Sequence, residues 1–129
     1  MDVFWGALSL PTQERSQSMP KSAAKRKPVE GFDDPVELDP KHYKAEFENN
    51  TVRVLRIKLG AKEKSVMHDH PAGVGIFLTD QHVKFTYPDG NTKEIEVKSG
   101  QTKWLDAFTH LPENLSDKPL EMILVEIKA

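Results

Sequence analysis

The sequence predicts an all-β fold of the jelly-roll type with eight or nine short strands. Three observations lead to this prediction: short segments alternate between apolar and polar residues, turn-forming residues separate these segments, and few windows have a helical period. Because side chains alternate between the two faces of a strand, many such strands can bury one face each in a sandwich or barrel. We therefore expect a single β-barrel.

Five segments carry the pattern of a strand most clearly. Residues 74–78 form a nearly continuous apolar run, which is typical of a strand covered on both faces. In the last segment, Met122, Leu124 and Glu126 fall on the same face. The sequence PDGN at residues 88–91 predicts a hairpin turn. The predicted strands are residues 51–59, 74–78, 82–87, 92–97 and 119–127.

The composition is that of one domain and excludes several kinds of site. The chain has 129 residues, a formal net charge of −2 and no cysteine. Disulfides, zinc fingers, iron–sulfur clusters and a cysteine nucleophile are therefore excluded, and the charge gives no reason to expect nucleic-acid or membrane binding. Since we find no apolar run of membrane-spanning length and no pattern of a secretory signal, we expect a cytoplasmic protein.

The N-terminal part differs from the rest. Residues 11–28 are rich in proline, serine, glutamine and lysine and have almost no bulky apolar side chains. Such a segment buries too little surface to offset the entropy lost on ordering. We predict a disordered arm over residues 1–28 and a barrel domain over residues 29–129.

Three histidines in two separate segments are the strongest functional signal. His68 and His70 are separated by one residue, so on an extended segment their side chains point to the same side. His110 lies about forty residues further on in another strand-like segment, and it can meet the pair if the sheet closes on itself. Three converging imidazoles form a suitable site for a divalent transition metal.

These histidines occur within two recognisable motifs. In the first, Gly60 is followed by HDH at residues 68–70; in the second, Gly100 is followed by HLPEN at residues 110–114. Together they resemble the two motifs of the cupin superfamily, and the resemblance covers roughly residues 43–127. It implies a small, single-domain cupin, a double-stranded β-helix in which His68, His70 and His110 bind the metal.

Two departures from the cupin motifs concern the metal ligands. The glutamate of the first motif falls at Val74 or Gly75, so the usual carboxylate ligand is missing. The Pro-x-Gly turn of the second motif is replaced by DAF at residues 106–108, with one residue fewer before His110. The resemblance still implies a usable site, because some cupins that oxidise thiols or diketones work with three histidines alone.

Other residues near the motifs have less specific interpretations. Asp106 and Glu113 flank the second motif and are weak candidates to replace the missing carboxylate. Asp69 should point away from its histidine neighbours, His82 should face solvent or the rim, and His42 should be exposed. Asn114 is expected to cap a turn or orient His110. The candidates to line a cavity are Met67, Phe77, Trp104, Phe108 and Asn114.

Two functions remain open on this sequence. In the first, Fe²⁺, Zn²⁺, Mn²⁺ or Ni²⁺ held by the three histidines acts on a small polar molecule, with dioxygenase-like chemistry the most concrete version. In the second, the barrel is a non-catalytic module that binds a ligand or dimerises, with a structural metal or none. The resemblance also implies a homodimer, and an exposed edge strand gives a physical reason for one.

Overall fold

The computed structural model describes residues 31–128 and confirms the all-β fold. The predicted disordered arm over residues 1–28 lies outside the described residues. Within them the elements are one short helix, α1 (Pro35–Leu38), and nine strands: β1 (Tyr43–Glu48), β2 (Val52–Leu59), β3 (His68–His70), β4 (Gly73–Phe77), β5 (Gln81–Thr86), β6 (Thr92–Val97), β7 (Thr102–Leu105), β8 (Phe108–Asn114) and β9 (Leu120–Ile127).

The strands form two antiparallel sheets. One sheet has five strands in the order β1-β2-β9-β4-β7, and the other has four in the order β3-β8-β5-β6. Their inner faces meet in one apolar core, to which β2 contributes Leu55 and Ile57, β9 contributes Leu124, and β5 of the opposite sheet contributes Val83. The strands β6 and β7 form free edges, one in each sheet.

The alternation in β2 and β9 determines which side chains enter the barrel. In β2 the buried positions are Arg53, Leu55, Ile57 and Leu59, every second residue. In β9 Leu124 and Glu126 share a face, as the sequence pattern predicts, and the structure shows that this is the buried inner face. Register pairs Arg53 directly with Glu126, so two charged residues occupy inner positions on neighbouring strands.

Strand β4 contains a glycine, Gly73, at a point where strand β9 passes too close for a side chain. A Cβ atom at Gly73 would overlap the backbone carbonyl oxygen of Val125 on β9. Only a residue without a side chain allows this close approach of two strands. The outer positions of β4, Val74 and Ile76, are half-buried, so the strand is covered less completely on its outer face than the apolar run predicts.

The hairpin between β5 and β6 forms where the PDGN sequence predicts it. Gly90 has a φ of +89°, a conformation that glycine adopts without strain. The backbone N–H of Tyr87 donates to the carbonyl of Asn91 at 2.9 Å and closes the turn. No helix within residues 31–128 has the length and apolar character needed to cross a membrane.

Candidate metal centre

Pairing of β3 with β8 brings the three histidines together. His68 lies directly opposite His110 in the antiparallel register, and His70 is on the same face of β3, two residues further on. All three side chains are buried, and one ring nitrogen from each lies within 4.8 Å of the others. Asp69, between the pair, points away and accepts a hydrogen bond from Thr109. The structure thus forms the three-histidine cluster that the spacing predicts.

Hydrogen bonds determine which nitrogen of His68 and His70 carries the proton. The Nδ1 atom of His68 lies 2.7 Å from the carbonyl oxygen of Val66, and Nδ1 of His70 lies 3.0 Å from Oε2 of Glu126. Because a carbonyl or carboxylate oxygen only accepts, Nδ1 is the donor in both rings. In each neutral ring the Nε2 atom is then left with a lone pair.

These two lone pairs face each other. The Nε2 atoms of His68 and His70 are 3.0 Å apart, and their ring planes are nearly perpendicular. At this distance two lone pairs repel each other unless a proton or a metal cation lies between them. Two ligands at right angles on one ion, with bonds of about 2.1 Å, are also about 3.0 Å apart. The spacing therefore fits a shared metal ion.

The ring nitrogens of His110 are a second, independent indication that the cluster binds a ligand. Both of its ring nitrogens are buried without a hydrogen-bond partner within residues 31–128. Its ring instead packs edge-on against Phe85 and Phe108, with centroids 4.3 and 4.4 Å away. A buried, unpaired imidazole costs free energy unless something binds it. Since no hydrogen bond fixes this ring, it can turn toward an ion held by the other two.

Burial favours the neutral form of His68 and His110. Loss of water around His68, followed by the charge of His70, lowers the pKa of His68 from 6.5 to about 4. The same causes, burial first, lower the pKa of His110 further. Neutral imidazole is the form that binds metal, so these rings do not need to lose protons first at neutral pH. The donor set, three imidazole nitrogens, fits a first-row transition ion.

A buried ion-pair network supports His70. Glu126 is fully buried and also accepts a hydrogen bond from Nε of Arg53 at 2.8 Å. Arg53 in turn donates through both terminal nitrogens to Asp34, which caps the start of α1. Burial opposes ionisation of Glu126, but the hydrogen bond from His70 and the charge of Arg53 hold its pKa below the usual value.

Sequence reasoning placed Glu126 on the same face as Met122 and Leu124 but missed its contact with His70. The available signal was the charge itself, because Arg53 and Glu126 interrupt otherwise apolar inner faces of β2 and β9. Their partnership depends on strand register, which these patterns alone did not give.

The structure decides which residue replaces the glutamate of the first motif. On β4 the inner positions are Gly73, Gly75 and Phe77, so Gly75 rather than Val74 faces the barrel. A Cβ atom at Gly75 would lie 3.2 Å from the terminal methyl of Met122. No carboxylate ligand is available at this position, and the neighbouring space is occupied by apolar side chains.

Neither acidic residue flanking the second motif takes over that role. Asp106 accepts a hydrogen bond from the indole nitrogen of Trp104 at 2.9 Å. Glu113 lies 3.7 Å from the ammonium group of Lys84 and faces away from the cluster on β8. The weak expectation that one of them replaces the missing ligand is therefore wrong.

A cavity of about 280 Å³ lies between the two sheets, next to the cluster. His70 and His110 form part of its wall, and most of the remaining wall is hydrophobic. Three predicted residues line it: Phe77, Trp104 and Phe108. Trp104 is 59% exposed and stands where the cavity meets solvent.

Two other predicted lining residues do not reach the cavity. The side chain of Asn114 donates to the carbonyls of Gly60 and Lys118 and accepts from the N–H of Ser116, so it caps a turn as expected. Met67 directly precedes His68, so its side chain points to the other side of the chain, and it is not part of the wall.

The two remaining histidines lie outside the cluster. His82 is half-exposed beside Glu94, as expected. His42 was expected to be exposed but is buried, because its ring bonds to Asp39 at 2.7 Å and to Glu63 at 3.0 Å. Asp39 is only three residues away, but Glu63 comes from a loop 21 residues further on, which the local pattern does not reveal.

Comparison with known proteins identifies the architecture. No family model matches the sequence, and no curated protein matches it. Among solved structures, a cupin domain from Bordetella pertussis matches with a TM-score of 0.63 at 20% identity, over 67% of this chain and 92% of that one. The chain has the cupin fold.

Two further structures agree with this cupin architecture. A cupin superfamily protein from Desulfitobacterium hafniense matches with a TM-score of 0.51 at 9% identity, over 67% of this chain and 76% of that one. The protein BH2720 from Bacillus halodurans matches with a TM-score of 0.54 at 15% identity, over 68% of this chain and 70% of that one. At such identities the likeness concerns the fold, and function has to be argued from the site.

Proposed function

We propose that this cupin barrel binds one divalent transition metal ion through His68, His70 and His110 and presents it to a small molecule in the adjacent cavity. The observation that carries the proposal is the convergence of the three buried rings, with the Nε2 atoms of His68 and His70 3.0 Å apart. The unpartnered nitrogens of His110 beside them complete the donor set.

Each supporting residue has a definable role in this proposal. The carbonyl of Val66 and the carboxylate of Glu126 hold the two Nδ1 protons, so that both Nε2 atoms aim at one point. The carboxylate also makes His70 a stronger electron donor. The hydrophobic wall around the cluster keeps bulk water away from a bound substrate.

The donor set favours Fe²⁺, Zn²⁺, Mn²⁺ or Ni²⁺ over Ca²⁺ and Mg²⁺, because the latter prefer oxygen ligands. A bound ion would supply Lewis-acid or, for iron, O₂ chemistry. Three protein ligands leave coordination positions free, and the missing carboxylate at Gly75 leaves one more than the usual cupin motif. Oxidation of a small molecule, in the manner of a dioxygenase, is the enzymatic version that we favour.

A second candidate is a binding module without catalysis. It is favoured by the wall of the cavity, which among residues 31–128 contains no aspartate or glutamate that could act as a base. The hydroxyl of Tyr43, the one phenol in this wall, has its pKa raised by burial and is a poor acid or base. In this case the ion stabilises the barrel and the cavity holds a ligand unchanged.

Metal analysis and a matched pair of variants test the metal site. Purified full-length protein, stripped and then titrated with Zn²⁺, Fe²⁺, Mn²⁺ and Ni²⁺ in a calorimeter, should bind one equivalent. His68→Ala should lose this binding, whereas His82→Ala, at a histidine outside the cluster, should keep it. A wild type that binds none of these ions at neutral pH contradicts the proposal, as does His68→Ala with unchanged affinity.

Oxygen uptake separates the two candidates. Iron-loaded protein that consumes O₂ with a cavity ligand, and loses this activity in His68→Ala, supports the enzyme. A metal-loaded protein that binds the ligand and returns it unchanged supports the module.

A further inference from the structure

Two lysines point toward the cavity from the free edges of the two sheets. Lys93 on β6 alternates with Ile95 and Val97, and all three line the cavity. Lys103 on β7 lines it together with Leu105. Both lysines are exposed, so their ammonium groups stand where the cavity opens to solvent.

Lysines, but no acidic residues, are found in the described wall of the cavity. Within residues 31–128, neither Lys93 nor Lys103 forms an ion pair, and no aspartate or glutamate belongs to the wall. The amide of Gln81, another polar group in the wall, is already engaged with the carbonyl of Glu121 at 3.2 Å. The described wall therefore carries two ammonium groups and no carboxylate, while Asp106 beside the opening is engaged with the indole N–H of Trp104.

The interior of the cavity is suited to an apolar group. Its wall between the lysines and the histidines is made mainly of aliphatic and aromatic side chains, among them Val83, Phe85 and Leu124. Burying an apolar group there gains about 25 cal/mol per Å² removed from water. A sugar or another polyhydroxylated molecule would lose its hydrogen bonds to water and find few partners.

The distance from the opening to the cluster limits the length of the ligand. Lys93 pairs with Phe85 on β5, and Phe85 packs edge-on against His110 on β8. The strands β6 and β8 are thus two strand spacings apart, about 10 Å. A medium-length hydrocarbon chain spans this distance when extended.

We propose that the ligand of this cavity is a small amphiphilic carboxylate, with its apolar body between the sheets and its anionic group between Lys93 and Lys103. This inference rests on the proposed function in one respect: the far end of the body then lies beside His70 and His110, where a bound ion would act on it. The lysines determine the orientation, since a carboxylate buried at the hydrophobic centre would lose its hydration.

Calorimetry with an eight-carbon series tests the charge preference. Octanoate, 1-octanol, octylamine and acetate are titrated into full-length protein, both metal-free and loaded with Zn²⁺. Octanoate should bind about tenfold more tightly than 1-octanol, because its carboxylate lies between two exposed lysines, whose ion pairs are each weak in water. Octylamine and acetate should bind more weakly still, one repelled by the lysines and the other lacking the apolar body.

Paired charge variants test the lysines. Lys93→Gln/Lys103→Gln should reduce the affinity for octanoate to that for 1-octanol and leave binding of 1-octanol unchanged. Lys44→Gln/Lys58→Gln removes the same charge from two exposed lysines outside this cavity and should bind octanoate like wild type. Equal affinities for octanoate in wild type and Lys93→Gln/Lys103→Gln would overturn the proposal.

Two other outcomes also count against it. Inward-pointing lysines on edge strands can serve to block pairing between molecules. If Lys93→Gln/Lys103→Gln self-associates while its affinity for octanoate is unchanged, the role of the lysines is to prevent strands β6 and β7 from pairing with other molecules. If octanoate binds only to metal-loaded protein and is insensitive to the lysines, its carboxylate goes to the ion and the orientation is wrong.

The same samples separate this inference from the proposed function. Zn²⁺ titration of Lys93→Gln/Lys103→Gln should give the wild-type affinity, because neither lysine touches the histidines. In His68→Ala, binding of octanoate that still depends on the lysines supports the ligand class whatever the metal does. Failure of Zn²⁺ binding in wild type thus rejects the metal site alone, and failure of lysine-dependent octanoate binding rejects the ligand alone.

Discussion

Oxygen Oε2 of Glu126 lies 3.0 Å from Nδ1 of His70, although the two residues are 56 positions apart in the sequence. This contact connects the last strand of the barrel to the three-histidine cluster. It fixes the tautomer of His70 and leaves Nε2 as the atom that faces His68. Through Arg53 it also ties the cluster to the start of α1.

Replacing Glu126 tests this positioning role. We expect Glu126→Gln to weaken Zn²⁺ binding about 10- to 100-fold, the usual effect of losing the carboxylate that orients a metal-bound histidine. Calorimetric Zn²⁺ titration measures the affinity, and thermal unfolding reports any loss of stability from the partly unpaired Arg53.

Glu121→Gln is the matched control for this change. Glu121 is on the same strand and pairs with Arg56, but it is partly exposed and remote from the cluster. Its loss should leave metal affinity unchanged. Wild-type Zn²⁺ affinity in Glu126→Gln would show that the contact does not position His70.

Replacing His110 by a hydrophobic residue should raise the stability of the metal-free protein and remove its stabilisation by metal. In metal-free protein we expect His110→Leu to raise the free energy of unfolding by about 1 kcal/mol, because a buried imidazole without partners is removed. The same change should abolish the increase in stability that Zn²⁺ gives to wild type. Urea unfolding with a chelator and with excess Zn²⁺ measures both effects. A large loss of stability in the metal-free variant would mean that His110 has a structural partner.

The low pKa of His68 predicts a pH dependence of the metal-free protein. Between pH 6.5 and about 4, the unfolded chain binds a proton at this residue and the folded chain does not. The free energy of unfolding is therefore at its full value above pH 6.5, falls as the pH drops to about 4, and loses nothing further from this group below that. The shift corresponds to roughly 3 kcal/mol.

Chemical unfolding in chelator at a series of pH values measures this dependence. Replacing the histidine by a residue that does not titrate, as in His68→Gln, should flatten the profile over the same range. The control His82→Gln, at a partly exposed histidine, should keep the wild-type slope. Identical profiles for wild type and His68→Gln would contradict the expectation.

Two glycines on β4 should respond differently to an added methyl group. Gly73→Ala would place its Cβ atom against the backbone of Val125, which cannot move without breaking strand pairing, so we expect loss of the folded state. Gly75→Ala meets only the ends of flexible side chains, with Met122 nearest at 3.2 Å, and should cost about 1–3 kcal/mol. Circular dichroism and thermal unfolding distinguish the two, and equal stability of the variants would be inconsistent with the strand packing.

The sequence was sufficient to predict the three-histidine cluster but not the hydrogen bonds that orient its rings. The two-residue spacing of His68 and His70 gives their common face directly, and an additional strand-borne histidine meets them once the barrel closes. The contacts of Glu126 and His42 depend on which strands and loops become neighbours, and this is decided by register and packing of the whole chain. The predicted homodimer stays a prediction; the edge strands among the described residues are β1, β3, β6 and β7.

Strand β3 is held to β8 by only three paired positions, two of which include ligands of the proposed site. In a chain without cysteine, an ion bound there would join segments about forty residues apart, as a disulfide does in secreted domains. The supply of metal would then determine how stable the pairing of this part of the barrel is.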